Sequence, residues 1–273
     1  MSVNGGVSEG AGGSAGLSGG RFPAERTVVV TGAASARGIG RATADRLSRD
    51  GWAVAILDLR QSDAAAAAVE VAEATGGQVI GVGADVSDGA SVTAAVDQVE
   101  ADLPPIVGLA NLAGISSPTE FMDETVEGWD RVFAVNVRGT FLVTQRVLRP
   151  MIERRLGRIV SVSSVSAQRG GGTYSKVAYS ASKAAVIGFT RALAREMGQH
   201  NITVNAITPG PVDTDIMGGT LTDERKAEMA AGTLMGRVGR PDEIAALLAF
   251  LLSEQAGWIT AATYDINGGL QVS

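Results

Sequence analysis

The chain has 273 residues, 45% hydrophobic and 19% charged, with a net charge of −6 and a pI near 4.9. That is enough chain to bury a full core, and there is no basic stripe to recruit nucleic acid. The absence of cysteine excludes disulfides, thiolate metal sites and thiol catalysis, and the lone His200 cannot build a histidine metal site, so no metal is expected.

Residues 1–24 are rich in Gly and Ser and offer little to bury. They read as a disordered tail ahead of one catalytic domain over 25–273. The tail lacks the basic start and apolar stretch of a secretory signal. No apolar run approaches the roughly 18 residues that would span a membrane. A cytoplasmic protein is expected.

From Thr27 onwards, short apolar runs alternate with amphipathic stretches. Strands are predicted at Thr27–Thr31, Trp52–Leu57, Gln78–Ala84, Ile106–Leu112, Gly157–Val162, Ile202–Ile207 and Thr263–Ile266. Helices are predicted at Ile39–Asp50, Ser62–Thr75, Ser91–Ala101, Trp129–Arg154, Tyr179–Gln199 and Pro241–Leu252, the last with proline in its first turn. Strands that are apolar on both faces and separated by helices imply an α/β, Rossmann-type, doubly wound parallel sheet of about seven strands. Ligands of such sheets lie beyond the carboxyl ends of the strands. The unusual residues Gly32, Asp58, Asp85, Asn111, Ser164 and Pro209 fall at or just past those ends.

Tyr179 and Lys183, in Tyr-Ser-Ala-Ser-Lys, stand four residues apart and so share one helix face. A phenol titrates near 10 in isolation, and a fixed ammonium close by pulls that value down, which makes a proton donor and acceptor. Such a pair is commonly ordinary helix surface, so its setting decides its meaning. Upstream, Thr31-Gly32-Ala33-Ala34-Ser35-Ala36-Arg37-Gly38-Ile39-Gly40 joins a strand to a helix. Small residues there let the backbone approach a pyrophosphate, and free N–H groups at the helix start favour its charge. The bland alternative is a tight turn. Asp58 follows at the end of the second strand, 18 residues after Gly40, where an acid receives the hydroxyls of an adenosine ribose. It could equally cap the next helix.

Together these residues resemble the short-chain dehydrogenase/reductase family, in its short single-domain branch, from about Thr27 to Gly269. The family's Thr-Gly-x-x-x-Gly-x-Gly turn appears with two extra residues, so Gly38-Ile39-Gly40 arrives late. Asp85-Val86 matches the pair that contacts adenine. Asn111-Leu112-Ala113-Gly114 matches the family's Asn-Asn-Ala-Gly, with Leu at its second position. Asn136 matches the helix asparagine of the catalytic tetrad. Ser164 matches the catalytic serine and precedes Tyr179 by 15 residues, slightly more than is usual, which leaves Ser163 and Ser166 as neighbours that could be taken for it. Pro209-Gly210-Pro211-Val212-Asp213-Thr214 matches the segment that holds the nicotinamide carboxamide.

The resemblance implies a catalytic set of Asn136, Ser164, Tyr179 and Lys183. It also implies a dinucleotide held by Gly32, Ser35, Arg37, Gly38, Ile39, Gly40, Asp58, Leu59, Asp85, Val86, Asn111, Ala113, Gly114, Tyr179, Lys183, Pro209, Gly210, Val212 and Thr214. Tyr179 would pass a proton to or from the substrate oxygen, and Ser164 would hydrogen-bond that oxygen. Lys183 would hold the nicotinamide ribose, and Asn136 would order a water for proton passage. A homotetramer is implied, through pairing of the long helices around Trp129–Arg154 and Tyr179–Gln199. The expected substrate is a secondary alcohol or ketone. An NADPH-dependent 3-oxoacyl-thioester reductase is the rival enzyme, and a non-catalytic nucleotide-binding regulator the rival of another class. Asp58 favours NAD(H) over NADP(H), whereas Arg37 or Arg60 could turn towards a 2′-phosphate. Residues 215–235, with Met217, Leu221, Met229, Leu234 and Met235, read as a lid or a plain helical hairpin. Arg169 could meet an anionic substrate or simply face water.

Overall fold

Strands buried on both faces need helices on both faces, and the computed structural model of the protein has that arrangement. It describes residues 22–172, 174–216, 219 and 221–272; most of the glycine- and serine-rich tail, and Met217 of the expected lid, lie outside these. In chain order the strands are β1 (Thr27–Thr31), β2 (Ala53–Asp58), β3 (Val79–Gly83), β4 (Ile106–Asn111), β5 (Gly157–Val162), β6 (Ile202–Pro209) and β7 (Thr263–Ile266). The helices are α1 (Ile39–Arg49), α2 (Gln61–Thr75), α3 (Gly89–Asp102), α4 (Val126–Phe133), α5 (Gly139–Arg154), α6 (Ser166–Arg169), α7 (Val177–Met197), α8 (Asp223–Ala230) and α9 (Pro241–Leu252). Every strand pair is parallel, in the order β3-β2-β1-β4-β5-β6-β7. The order reverses between β1 and β4, which opens a crevice at the carboxyl edge of the sheet.

Alternation along each strand divides the core in two. Val29 and Leu57 point to the layer of α3, α5 and α7, while Val28, Val30 and Ile56 point to that of α1, α2 and α9. Fully buried side chains such as Ile56, Leu109, Ile159 and Ile207 each contribute about 1.5–3 kcal/mol by leaving water. The alanine-rich α2 packs unusually close to β3. A Cβ on Gly81 would lie 2.0 Å from the carbonyl oxygen of Ala64, so only glycine opposite small residues permits this approach.

The single helix expected over Trp129–Arg154 is two helices. Thr125 caps α4 by accepting from the Gly128 N–H at 3.0 Å, which starts the helix earlier. The chain then widens into one π-helical turn, Ala134–Arg138, before α5. A π turn shifts the phase of the helix and turns a side chain out of its regular row; here Asn136 is turned inward and is 1% exposed. Strand β6 runs two residues past its expected end, pairing Pro209 with Ile266. The segment 215–235, expected as a lid or a helical hairpin, carries one short helix, α8, among its described residues.

Candidate active site

The site grows from the carboxyl ends of β1, β2, β4, β5 and β6. After β1 the chain turns through Gly32 at φ +69°, where a Cβ would come 2.8 Å from the Ala113 Cα. A Cβ on Gly40 would lie 2.4 Å from the Gly32 carbonyl oxygen, so the first turn of α1 packs directly on the strand end. Gly38 starts that helix with no side-chain cap and no acid in its first turn. Its leading N–H groups therefore face the crevice as a ready site for an anion. Thr31 Oγ1 accepts from the N–H groups of both Leu112 and Ala113 at 3.0 Å, locking this turn to the end of β4.

Asp58 is held by backbone. Its two carboxylate oxygens accept from the N–H groups of Ala34 and Leu59, each at 2.8 Å. Asp85 accepts from the Ser87 hydroxyl and N–H, which hold its carboxyl below the usual range. Neither arginine that could meet a 2′-phosphate is free. Arg37 binds Asp213 at 2.6 Å and Asp215 at 3.1 Å, across to the lid segment. Arg60, the residue before α2, binds Asp63 in the first turn of that helix.

Deeper in the crevice, Lys183 is 4% exposed and donates through Nζ to the Val162 carbonyl at 2.8 Å. Burial lowers its pKa to about 8. Tyr179 opens partly onto the cavity. Burial raises its phenol above the ordinary value, and a hydrogen bond with Ser164 works in the opposite direction. This differs from the lowered phenol expected from the sequence. Nζ of Lys183 lies 5.8 Å from the Tyr179 ring centroid and is committed to a carbonyl, so desolvation outweighs the neighbouring cation.

The three serines separate cleanly. Ser163 donates to the Lys183 carbonyl at 2.7 Å, Ser166 pairs with Ser175, and Ser164 meets the phenol while accepting from the Ser166 N–H. Asn136 clasps both backbone groups of Ile115, at 2.9 and 3.0 Å, and donates to Ser182. It stands beside Lys183 across Gly114. A Cβ on Gly114 would be 3.2 Å from Asn136 Oδ1 and 3.3 Å from Lys183 Nζ.

One cavity of about 930 Å³ joins these parts, a size suited to a cofactor with substrate. Of the residues expected to bind cofactor or act in catalysis, Gly32, Ser35, Gly38, Ile39, Gly40, Asp58, Leu59, Asp85, Val86, Ala113, Gly114, Ser164, Tyr179, Lys183, Pro209, Gly210, Val212 and Thr214 line it. Three do not. Arg37 is turned to the lid acids. Asn111 is buried, donating to Thr144 and Ser161, so it braces β4 against α5 and β5 and is not a wall of the cavity. Asn136 acts on the cavity through Ile115. The sequence reading missed Ile115, Ser116, Tyr174 and Leu270, which also line it, as do Met229 and Gly232 of the segment expected to cover the site. None of them belongs to a spaced motif; only their positions in loops that follow strand ends could have drawn attention to them.

The family described as Enoyl-(Acyl carrier protein) reductase matches residues 32–271. An uncharacterised short-chain type dehydrogenase/reductase of Sinorhizobium fredii is 41% identical over 90% of this chain and 98% of its own length. The chain belongs to the short-chain dehydrogenase/reductase family. It is also similar to the 3-oxoacyl-[acyl-carrier-protein] reductase of Aquifex aeolicus, at 40% identity over 89% of this chain and 96% of that one. A crystal structure of a 3-oxoacyl-[acyl-carrier protein] reductase with bound NAD from Brucella melitensis superposes with a TM-score of 0.83 at 35% identity, covering 91% of this chain and 92% of that one. As a member of the short-chain dehydrogenase/reductase family the protein is an NAD(P)-dependent oxidoreductase acting on CH–OH groups. No helix among the described residues is long and apolar enough to cross a membrane.

Proposed function

We propose that the enzyme transfers hydride between NAD(H) and a secondary alcohol or ketone, with Tyr179 as the general acid and base. The observation that carries this is that Tyr179, Ser164 and Lys183 line one cavity with the uncapped start of α1 and the Asp58 carboxylate. These residues fit a dinucleotide: a glycine turn without side chains, free N–H groups for a pyrophosphate, and an acid for ribose hydroxyls. The bound nicotinamide supplies or accepts the hydride.

The protein manages the proton. In reduction, negative charge grows on the carbonyl oxygen. Ser164 donates a hydrogen bond to it and Tyr179, kept protonated by burial, gives it a proton. In oxidation Tyr179 takes the proton from the alcohol. Lys183 would hold a ribose of the nicotinamide half, and Asn136 fixes Ile115 and Ser182 around the buried amine and, through an ordered water, would pass protons from Lys183.

Preference for NAD(H) rests on charge. Two anions about 4 Å apart repel by near 4 kcal/mol at an effective dielectric of 20, and Arg37 and Arg60 are already paired with acids. Wild-type kcat/KM with NADH should exceed that with NADPH by about tenfold or more, and Asp58→Ala should narrow or reverse the ratio. Preference of the wild type for NADPH would overturn this part of the reading. A second reading, reduction of a 3-oxoacyl thioester, is favoured by the names of several relatives. Parallel assays on a 3-oxoacyl thioester and on simple ketones separate the two.

A further inference from the structure

The loop between Ser164 and Tyr179 holds a residue that no motif announces. Gly170 and Gly171 take φ of +82° and +107°, and a Cβ on Gly171 would lie 2.3 Å from the Ser175 carbonyl oxygen. This reverses the chain into a tight turn closed by Gly172 N–H to Ser175 O at 2.9 Å. Ser175 pairs with Ser166 at 2.8 Å, and the Lys176 N–H donates to Ser117 O at 2.9 Å. Tyr174 is thus carried on a turn anchored to α6 and to the loop after β4, and its side chain lines the cavity.

The ring is also held from across the cavity. Arg225, on α8, donates from Nε to the Tyr174 hydroxyl at 3.0 Å, and its guanidinium carbon lies 4.3 Å from the ring centroid. A stacked, hydrogen-bonded arginine fixes an aromatic plane more firmly than either contact alone. Met229, one turn further along α8, lines the same cavity, as do Ile115, Ile216 and Leu270. Of the charged residues that line the cavity with them, Arg131, Arg169 and Glu228 are solvent-exposed, and the half-buried Asp215 is paired with Arg37.

We infer that Tyr174 is a specificity-determining residue: its ring, braced by Arg225, forms with Met229, Ile216, Ile115 and Leu270 an apolar wall for the larger substituent of the ketone or alcohol. The substrate class is a carbonyl compound flanked by an aliphatic or aromatic group, in preference to a phosphorylated or sugar-like one. This rests on the hydride-transfer reading above and adds to it which end of the cavity reads the substrate.

The test is steady-state reduction of a methyl ketone series, 2-butanone, 2-octanone and acetophenone, by wild type, Tyr174→Ala and Tyr174→Phe, with NADH and with NADPH. The apolar wall predicts that Tyr174→Ala lowers kcat/KM for 2-octanone and acetophenone by about tenfold or more, chiefly through KM, and for 2-butanone by less than roughly threefold. Tyr174→Phe keeps the ring and the discrimination. Equal losses on all three ketones, unchanged discrimination in Tyr174→Ala, or a Tyr174→Phe as impaired as Tyr174→Ala would each overturn the assignment while leaving hydride transfer standing. A wild type that reduces none of the series with either cofactor would overturn the ketone reading, and this assignment with it.

Discussion

The two walls of the cavity are built on different principles. On the cofactor side, the Gly32–Gly40 turn, Asp58 and the end of β4 are fixed by backbone: glycines that admit no Cβ, and carboxylate and hydroxyl oxygens that accept main-chain N–H groups. On the facing side, Asp213, Asp215, Arg225 and Lys226 add side-chain ties: Arg37 to Asp213 and Asp215, Lys226 to Asp213 at 2.7 Å, and Arg225 to Tyr174, beside the Asp213 N–H bond to the Gly239 carbonyl. Glycines whose Cβ would strike backbone atoms tolerate almost no substitution, and such packing is little affected by salt. Exposed ion pairs contribute little each and weaken as salt screens them. The cofactor wall is braced by glycine packing and main-chain hydrogen bonds, and the facing wall leans on ion pairs that salt can screen.

The largest effect is expected on the rigid wall. Gly40→Ala places a methyl 2.4 Å from a backbone oxygen, so either the strand end or α1 must move. A loss of about 3 kcal/mol of stability is expected, at the upper end of ordinary overpacking, with NAD affinity lowered as well. Thermal melts with and without NAD measure both. A variant that melts and binds like wild type would show that the turn yields as easily as the lid.

Lys183, at the floor between the walls, is next. Its pKa is lowered from 10.5 to about 8 by burial. Between those values the unfolded chain carries the extra proton, so the stability of wild type relative to Lys183→Met rises as pH climbs from 8 to 10.5. Below pH 8 the full cost of the buried cation remains. The swing is on the order of 3 kcal/mol, read from urea unfolding of both proteins at pH 7 and pH 10. The hydrogen bond to Val162, lost at every pH in the variant, cancels from this difference. A gap that does not change with pH would mean that the amine is not desolvated.

The smallest effect belongs to the lid. Arg37 and its partners are partly exposed, and Arg37→Met should cost less than about 1 kcal/mol. The KM for NADH should rise by roughly two- to fivefold in the variant, and salt should raise the wild-type KM towards that value. A salt-independent wild-type KM would remove the ionic tie from the account.

The same contrast explains what the sequence disclosed. The sheet, its seven strands and the glycine turn are written in local patterns: apolar runs, strand-end acids, and glycines where no side chain fits. Asp58, Ser164, Tyr179 and Lys183 were placed by spacing within such elements. The partners of Arg37 are not legible in the sequence, because a long side chain chooses its partner in three dimensions and its acids lie more than 170 residues away in the chain. Asn136 stands in a recognisable motif, but its π turn is not legible, since no residue in Ala134–Arg138 signals a widened helix. Asn111 carries its motif yet braces the sheet. The phenol pKa was misread because sequence supplies the neighbouring cation but not the burial that overrides it.

The most direct test of the central claim is single-turnover and steady-state kinetics of Tyr179→Phe on a ketone that the wild type reduces, with NADH binding measured in parallel. The phenylalanine ring keeps the packing and removes only the hydroxyl of a residue that lines the cavity with Ser164. The account predicts unchanged melting temperature, NADH affinity within about twofold of wild type, and turnover lower by roughly 10²-fold or more, the scale of a lost general acid. Turnover close to wild type in a variant that folds and binds NADH would contradict it, because proton transfer would then have to come from another group.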